Sequence, residues 1–218
     1  MTLRVLVACE FSGIVREAFR ARGHDAWSCD LLPTEMPGQH IQDDVLKHLD
    51  ENWDMMIAFP PCTYLCNSGV RWLHTVSGRF DAMILASEFF YKIWNSGIEK
   101  ICVENPIPHK QAMLPAYSQI IQPWMFGHSE SKATCLWLKG LPPLIPTKYA
   151  DFKKYRCKCG NVFETDLGKY GCCDTPAKPL WDNMTKSGQN KLAPSDHRAK
   201  DRSRTYQGIA EAMNTQWG

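Results

Sequence analysis

A cysteine and a glutamate that follow two short apolar runs are the residues in this sequence best suited to covalent chemistry. Cys62 comes after the run 54–59 and the prolines 60–61, and Glu104 comes directly after the run 101–103. Short apolar runs are typical of buried strands, and ligands bind beyond the carboxyl ends of parallel strands. A thiolate and a carboxyl placed there can attack C6 of a cytosine ring and hydrogen-bond its N3 edge. The sequence therefore predicts Cys62 as a nucleophile and Glu104 as its partner.

Composition and charge are those of an ordinary globular chain. The 218 residues are 44% hydrophobic and suffice for one or two domains with a sizeable core. The formal net charge of +2 is too small to indicate nucleic-acid binding without local clustering. No apolar run reaches the ~20 residues of a membrane-spanning helix, and residues 1–7 read as a strand rather than as a signal peptide. We expect a cytoplasmic monomer that contacts no membrane.

Segments with strand and helix patterns alternate along the chain, which favours an α/β fold with an open parallel sheet. The sequence predicts strands at 3–8, 25–29, 54–59, 101–103 and 134–138, and helical segments at 14–22, 45–49, 79–96 and 206–213. A proline-rich stretch, 140–147, then leads into a segment rich in lysine and cysteine. We predict a catalytic domain formed by residues 1–139 and 195–218, with residues 140–194 as a small inserted domain.

The ten cysteines fall into groups with different expected roles. Four lie in or beside apolar segments and are expected in the core, namely Cys9, Cys29, Cys102 and Cys135. Four more lie in the inserted segment and suit a tetrahedral zinc site, namely Cys157, Cys159, Cys172 and Cys173. Their spacing differs from the usual two intervening residues, so free thiols are the alternative. Metal binding would supply folding free energy to a domain with little core. Cys66 is expected to be structural.

Five short motifs occur in an order that resembles one family. Residues 10–13 follow the first predicted strand, Asp30 ends the second, and residues 44–45 precede the third. Residues 59–62 close the third strand, and residues 104–105 close the fourth. In this order the chain resembles a DNA cytosine-5 methyltransferase, in a shortened form of the kind common in bacteriophages. The resemblance implies a Rossmann-like, S-adenosylmethionine-dependent methyltransferase sheet with a small Cys-rich target-recognition insertion.

The resemblance also implies an activity, a cofactor and a location. The protein would transfer a methyl group from S-adenosylmethionine to C5 of cytosine in double-stranded DNA, through a bond between Cys62 and C6 of a flipped base. It would work in the cytoplasm of a bacterium or a phage-infected cell. The implied cofactor-binding residues are Glu10, Phe11, Ser12, Gly13, Asp30, Leu31, Asp44, Val45, Phe59 and Pro60.

Two departures from the family pattern leave alternatives open. Ile14, Val15 and Arg16 stand where further glycines usually follow the first motif. The Gln-x-Arg-x-Arg strand of the family is reduced to Glu-Ser-Lys at 130–132, so Lys132 takes the place of the last arginine as a third catalytic residue, without its planar fork. A catalytically degenerate DNA-binding protein of the same fold is one alternative. The short insertion leaves a second, the same chemistry on RNA or a free cytosine nucleotide.

Basic and amide side chains cluster near the end of the inserted segment. The predicted DNA contacts are Lys186, Gln189, Asn190, Lys191, Arg198, Arg202 and Arg204. The cations would bind phosphates, and the amides can hydrogen-bond base edges. The alternative is a solvated charged loop. Lys153, Lys154 and Arg156 add basic charge just before the first cysteine of the insertion.

Overall fold

The computed structural model describes residues 1–164, 176–185, 191–192 and 198–218 of the chain. It divides into two compact units, each built from separate stretches of sequence. The larger unit contains Met1–Ile121, Ala133–Ile145 and Thr205–Gly218, and the smaller contains Gln122–Lys132 and Pro146–Arg204.

A seven-stranded, mostly parallel sheet forms the larger unit. Its strands are β1 Arg4–Ala8, β2 Asp25–Cys29, β3 His40–Ile41, β4 Met55–Ala58, β5 Lys100–Pro106, β6 Gln119–Ile121 and β7 Thr134–Lys139. The order across the sheet is β3-β2-β1-β4-β5-β7-β6. Strands β1 to β5 pair in parallel, and β7 runs antiparallel to both of its neighbours, β5 and β6. The predicted α/β fold with a Rossmann-like sheet is confirmed.

The helices are α1 Ile14–Arg20, α2 Arg79–Trp94, α3 Arg198–Ser203 and α4 Gln207–Trp217, with α3 in the smaller unit. Short 3-10 turns lie at Val45–Lys47, Asn67–Trp72, Lys110–Ala112 and Pro123–Met125. The C-terminal helix α4 packs against α1. Within the described residues, no helix has the length and apolar character needed to cross a bilayer.

The centre of the sheet is buried on both faces. Every residue of β4, and residues 5–8 of β1, have no exposed surface, which is typical of central parallel strands covered by helices. Phe90 of α2 packs edge-on against Trp137 of β7, with ring centroids 5.1 Å apart. Three of the four cysteines predicted in the core, Cys29, Cys102 and Cys135, are fully buried, whereas Cys9 is half-buried.

The smaller unit is organised around a three-stranded antiparallel sheet. Strands β8 Lys154–Arg156, β9 Val162–Glu164 and β10 Lys178–Pro179 lie in the order β10-β8-β9. A cluster of aromatic rings packs beside it, in which Trp181 meets Phe152 edge-on at 4.8 Å and lies 6.2 Å from Trp124. The rings supply apolar surface to a unit whose strands are short.

The bounds of the two units differ from the domain bounds expected from the sequence. Residues 122–132 belong to the smaller unit because Ser131 exchanges two hydrogen bonds with Asn183 and the Ser129 carbonyl accepts one from the Asp182 amide. Residues 140–145 remain with the larger unit because Gln119 exchanges two hydrogen bonds with the backbone of Leu144. Both sets of contacts are long-range in sequence, so local composition does not reveal them.

Candidate active site at the strand ends

Most of the predicted catalytic and cofactor residues of the larger unit follow the carboxyl ends of its parallel strands, and Glu104 lies within β5, which continues to Pro106 rather than ending at residue 103. Strands β1 and β4 are neighbours at the centre of the sheet, and the strand order runs outward from them in both directions. Such a reversal opens a crevice that binds ligands in open α/β sheets. Ala8, Ala58 and Val103 align across β1, β4 and β5. Glu104 therefore lies one residue beyond this aligned row, at the same edge as the segment 59–62.

The turn after β1 is organised by the buried carboxylate of Glu10. One oxygen accepts hydrogen bonds from the Val15 amide at 2.7 Å and the Ser12 hydroxyl at 3.1 Å, and the other accepts from the Arg16 amide at 3.3 Å. These contacts cap the first turn of α1, whose amides otherwise lack partners. Burial raises the pKa of Glu10 above its usual value, and the amide hydrogen bonds oppose that shift. The Glu10 carboxylate thus fixes the conformation of the turn through these hydrogen bonds.

Gly13 ends this turn in the left-handed region, with φ +77°. A Cβ at this position would lie 2.8 Å from the Arg16 guanidinium and 3.0 Å from Cβ of Met36. Both the dihedral angle and the close approach therefore require glycine here. Phe11 and Ser12, the other residues of the motif, are buried.

Arg16 is a structural residue that the sequence interpretation treated only as a missing glycine. Its side chain is fully buried and donates hydrogen bonds to Ser28 Oγ at 2.9 Å and to the Met36 carbonyl at 2.7 Å. It also donates to Thr34 Oγ1 at 3.2 Å and pairs with Glu17 at 2.8 Å. The guanidinium thereby fastens the segment after β2 to α1.

Two acids predicted to bind the cofactor lie around the Cys9 thiol. Burial raises the pKa of Cys9 most, and the negative charges of Asp30 and Asp44 raise it further. Burial likewise raises the pKa of Cys29 to about 12 and that of Asp30 above its usual value. Asp30 is half-buried and accepts a hydrogen bond from the Leu32 amide at 2.9 Å. The two carboxyls thus share one neighbourhood beyond β1 and β2.

The adjacent acids Asp43 and Asp44 have different partners. Asp43 pairs with Lys47 at 2.7 Å and with His48 at 3.3 Å, and the Lys47 hydrogen bond is the main cause that lowers the pKa of Asp43 to about 2. Asp44 caps the following 3-10 turn by accepting from the Leu46 amide at 3.0 Å. Val45 is buried in the core, whereas Leu31, after Asp30, is 72% exposed.

The loop that carries Cys62 is tied to the segment that follows β5. The Cys62 carbonyl accepts hydrogen bonds from the amides of residues 65 and 66, which makes a compact turn. The Leu65 carbonyl then accepts from the His109 amide at 2.9 Å, and the Ile107 carbonyl accepts from the Asn67 amide at 3.1 Å. Buried Leu65 anchors the turn. The Cys62 loop and the segment after β5 are therefore held together at two points, in addition to the pairing of β4 with β5.

Glu104 and Asn105 point to opposite faces of β5, as alternation in a strand requires. Glu104, which pairs with Leu136 of β7, and Cys62, in the loop after β4, are each partly exposed. The negative charge of Glu104 adds to burial in raising the pKa of Cys135 to about 11. Asn105 is fully buried, and both polar atoms of its side chain lack a hydrogen-bond partner within the described residues. Phe59 is half-buried and Pro60 is buried.

The remaining predicted site residues belong to the smaller unit. Lys132 donates a hydrogen bond from Nζ to the Arg202 carbonyl at 3.0 Å, and Arg204 pairs with Asp201 at 2.6 Å. Lys191 is exposed, and Arg198 begins α3 with its side chain outside the described part. Three predicted DNA contacts lie outside the described residues, namely Lys186, Gln189 and Asn190.

Half of the predicted zinc ligands lie at the turn between β8 and β9. The Cys157 amide donates to the Asn161 carbonyl, the Gly160 amide donates to the Cys157 carbonyl, and Gly160 has φ +95°. Cys157 is buried and Cys159 is exposed, while Cys172 and Cys173 lie outside the described residues. Across the described ranges no group of three or more metal-ligating side chains occurs. A tight cysteine-bearing turn suits a metal, and the four-thiolate site stays a prediction.

Comparison with known proteins gives matches only at the level of solved structures. No protein-family model matches the chain, and no curated protein matches it. The chain is similar to a candidate DNA modification methyltransferase encoded within a prophage of E. coli, with a TM-score of 0.45 and 14% identity, over 69% of this chain and 53% of that one. It is also similar to EhMeth, a methyltransferase of Entamoeba histolytica, with a TM-score of 0.43 and 14% identity, over 69% and 58%. The chain thus spans little more than half the length of either structure.

Proposed function

We propose that this protein transfers a methyl group from S-adenosylmethionine to C5 of cytosine in DNA, with Cys62 as the nucleophile and Glu104 as the group that holds the base. The observation that supports the proposal is the pair of backbone hydrogen bonds between the Cys62 turn and the segment after β5, the strand next to β4 that bears Glu104. This edge also holds the crevice in which α/β sheets bind ligands.

The chemistry requires a nucleophile because C5 of cytosine is itself unreactive toward a methyl donor. The Cys62 thiolate forms a bond to C6, which moves an electron pair onto C5. S-adenosylmethionine supplies, when bound, a methyl group on a sulfonium sulfur. After C5 gains the methyl group, its proton leaves, the electron pair re-forms the C5–C6 double bond and the bond to Cys62 breaks. The thiolate is thereby regenerated for the next turnover.

The residues around Cys9 fit such a donor. Asp30 and Asp44 place negative charge there, and a carboxylate suits two ribose hydroxyls better than a phosphate. We assign Asp30 to the ribose, Leu31 to the exposed apolar contact beside it, and Asp44 with Val45 to the adenine. Gly13, which excludes a Cβ, would let the backbone approach the methionine part. We assign Glu10 a positioning role because both of its oxygens already accept hydrogen bonds.

Glu104 would act on the polar edge of the base. A partly exposed carboxyl can hydrogen-bond the N3 edge and the exocyclic amine, and so stabilise charge as the bond to C6 forms. The target base must leave the stack to reach Cys62, at a cost of a few kcal/mol. Lys132 as support for the flipped base, the basic residues of the smaller unit as phosphate contacts and zinc at the cysteines remain parts of this proposal.

The decisive experiment supplies labelled S-adenosylmethionine with duplex DNA, RNA or dCMP in separate reactions. Label in duplex DNA alone supports the proposal, and label in RNA or dCMP would reassign the substrate. DNA that contains 5-fluorocytosine should trap the enzyme covalently, because fluorine at C5 cannot leave as a proton. Cys62→Ala should abolish both transfer and trapping, while Cys66→Ala, which changes a buried thiol, should keep both. A trapped Cys62→Ala adduct would show that another residue is the nucleophile.

A further inference from the structure

The smaller unit carries a groove whose chemistry differs from that of the strand-end site. A cavity of about 550 Å³ is lined by Arg156, Lys158, Lys178, Leu180, Trp181 and Met184 among others. A second cavity of about 480 Å³ shares the apolar residues Leu180, Trp181 and Met184 with the first, and Glu164 and Asp182 also line it. No aspartate or glutamate lines the first cavity among the described residues. The groove is thus basic at one end and apolar along its floor.

Two of its cations lie directly opposite each other on neighbouring strands. Arg156 of β8 pairs with Lys178 of β10 in the antiparallel register, so the two side chains leave the same face. Like charges in directly opposed positions destabilise a sheet. No ion pair to either side chain occurs in the described part of the chain. By contrast Lys154, two residues earlier on β8, is neutralised by Glu164 at 3.3 Å.

An anion between the two cations would remove this repulsion. A phosphate fits because a guanidinium donates two parallel hydrogen bonds to phosphate oxygens and a lysine adds a point charge. Lys158, at the turn after β8, lines the same cavity. Opposed cations that form no ion pair within the described residues are therefore suited to an anionic ligand from outside.

The apolar floor adds an aromatic surface next to these charges. Trp181 follows Lys178 by three residues, so the two backbone positions are at most about 10 Å apart. The indole is held in place by Phe152, which meets it edge-on at 87°, and by Trp124, whose ring is inclined to it by 29°. An indole fixed by such packing can stack a nucleobase, which is worth ~1–3 kcal/mol per base in single-strand binding.

We infer that this groove binds a DNA strand, with a phosphate between Arg156 and Lys178 and an unstacked base against Trp181. The inference rests on the proposed function in one respect, that DNA is the substrate. It adds a binding surface on β8, β10 and the residues that follow them, apart from the basic stretch near α3.

The test measures binding of labelled duplex DNA by fluorescence anisotropy over a range of salt concentrations. Each phosphate contact adds about 0.9 to the slope of log affinity against log salt. The double variant Arg156→Gln with Lys178→Gln removes both cations from one phosphate and should therefore lower the slope by about 0.9. Lys92→Gln, which removes an exposed cation from α2 of the larger unit, should leave the slope unchanged. An unaltered slope in the double variant would overturn the inference.

The aromatic contact is tested with a duplex that contains one unpaired cytosine. Trp181→Ala should weaken its binding by about 5- to 150-fold, which is ~1–3 kcal/mol at about 1.4 kcal/mol per tenfold, and should affect a fully paired duplex much less. Trp181→Phe should retain most of the affinity. If near-ultraviolet circular dichroism shows that Trp181→Ala does not fold, Trp181→Phe takes its place in the test. Equal loss with both duplexes for Trp181→Phe would overturn the stacking role.

Binding and methyl transfer are measured on the same preparations, so the two proposals fail separately. If the groove variants methylate and bind DNA like the wild type, the DNA-binding role of the groove is refuted and the proposed reaction stands. If the salt slope depends on the groove residues but no methylation occurs, the DNA-binding role of the groove stands and the proposed reaction is refuted. Stronger groove-dependent binding of RNA than of DNA would contradict the choice of DNA.

Discussion

Replacing Arg16 by methionine should destabilise the larger unit and loosen the segment that carries Asp30 and Leu31. The guanidinium is fully buried and donates to Ser28 and to the backbone of Met36 on that segment. Methionine keeps apolar length but supplies no donor. The Met36 carbonyl would lose its short hydrogen bond, and the proposed cofactor residues after β2 would lose their connection to α1.

The size of the effect follows from the burial of this charge. Breaking a buried ionic contact by removing one partner costs about 3–5 kcal/mol. That is a large share of the ~5–15 kcal/mol by which domains are usually stable. For a domain of this size, 1 kcal/mol shifts the melting temperature by roughly 2–4 °C. Arg16→Met should therefore melt about 6–20 °C below the wild type and should bind S-adenosylmethionine more weakly.

Arg20→Met is the matched control because Arg20 lies one turn later on the same helix. Its side chain is 36% exposed and approaches the same acid, Glu17, only at 4.0 Å. Such an exposed pair contributes at most about 1 kcal/mol. Thermal melts and calorimetric titration with S-adenosylmethionine would compare the two variants. If Arg16→Met melted at the same temperature as Arg20→Met and bound S-adenosylmethionine like the wild type, the structural role of the guanidinium would be refuted.

Three further predictions concern other charged and thiol groups. Glu104→Gln should lower kcat for methyl transfer by about 10²- to 10⁴-fold with an unchanged melting temperature; wild-type kcat would rule out its role at the base. His48 has a raised pKa because it hydrogen-bonds Glu51 and, less strongly, Asp43, so its stabilising charge is complete below about pH 6.5 and is lost as pH rises through the raised value. Thermal melts from about pH 6 to pH 9 should show this loss in the wild type and not in His48→Gln, and parallel curves would contradict it. Metal analysis should find about one zinc per chain, reduced in Cys157→Ser, whereas a metal-free, stable protein would remove the zinc site.

The sequence was sufficient to predict the parts of the fold that depend on local pattern. The segments that form β1, β2 and β4 are either apolar throughout or alternate between apolar and polar residues. Their burial pattern can therefore be inferred from consecutive residues. The placement of Cys62 after β4 and of Glu104 on the neighbouring strand β5 followed from the same reasoning, because both residues follow apolar runs. Strands β3 and β10, of two residues each, are too short to leave a pattern and were not predicted.

Features that depend on contacts between distant residues could not be predicted in this way. Arg16 looked like a lost glycine until its hydrogen bonds to the segment 28–36 were visible. The opposition of Arg156 and Lys178 requires the register between β8 and β10, which no local signal gives. The different partners of the adjacent acids Asp43 and Asp44 likewise depend on a side-chain contact, the ion pair of Asp43 with Lys47, that the sequence does not reveal.

The chain passes between the two units four times, at 121/122, 132/133, 145/146 and 204/205. Deleting 146–204 alone would leave the short segment 122–132 without Asn183, the residue that hydrogen-bonds Ser131. A hybrid enzyme made by transplanting the smaller unit must therefore carry both segments together. Natural recombination faces the same requirement, so the smaller unit should be inherited together with the larger unit rather than exchanged as one continuous segment.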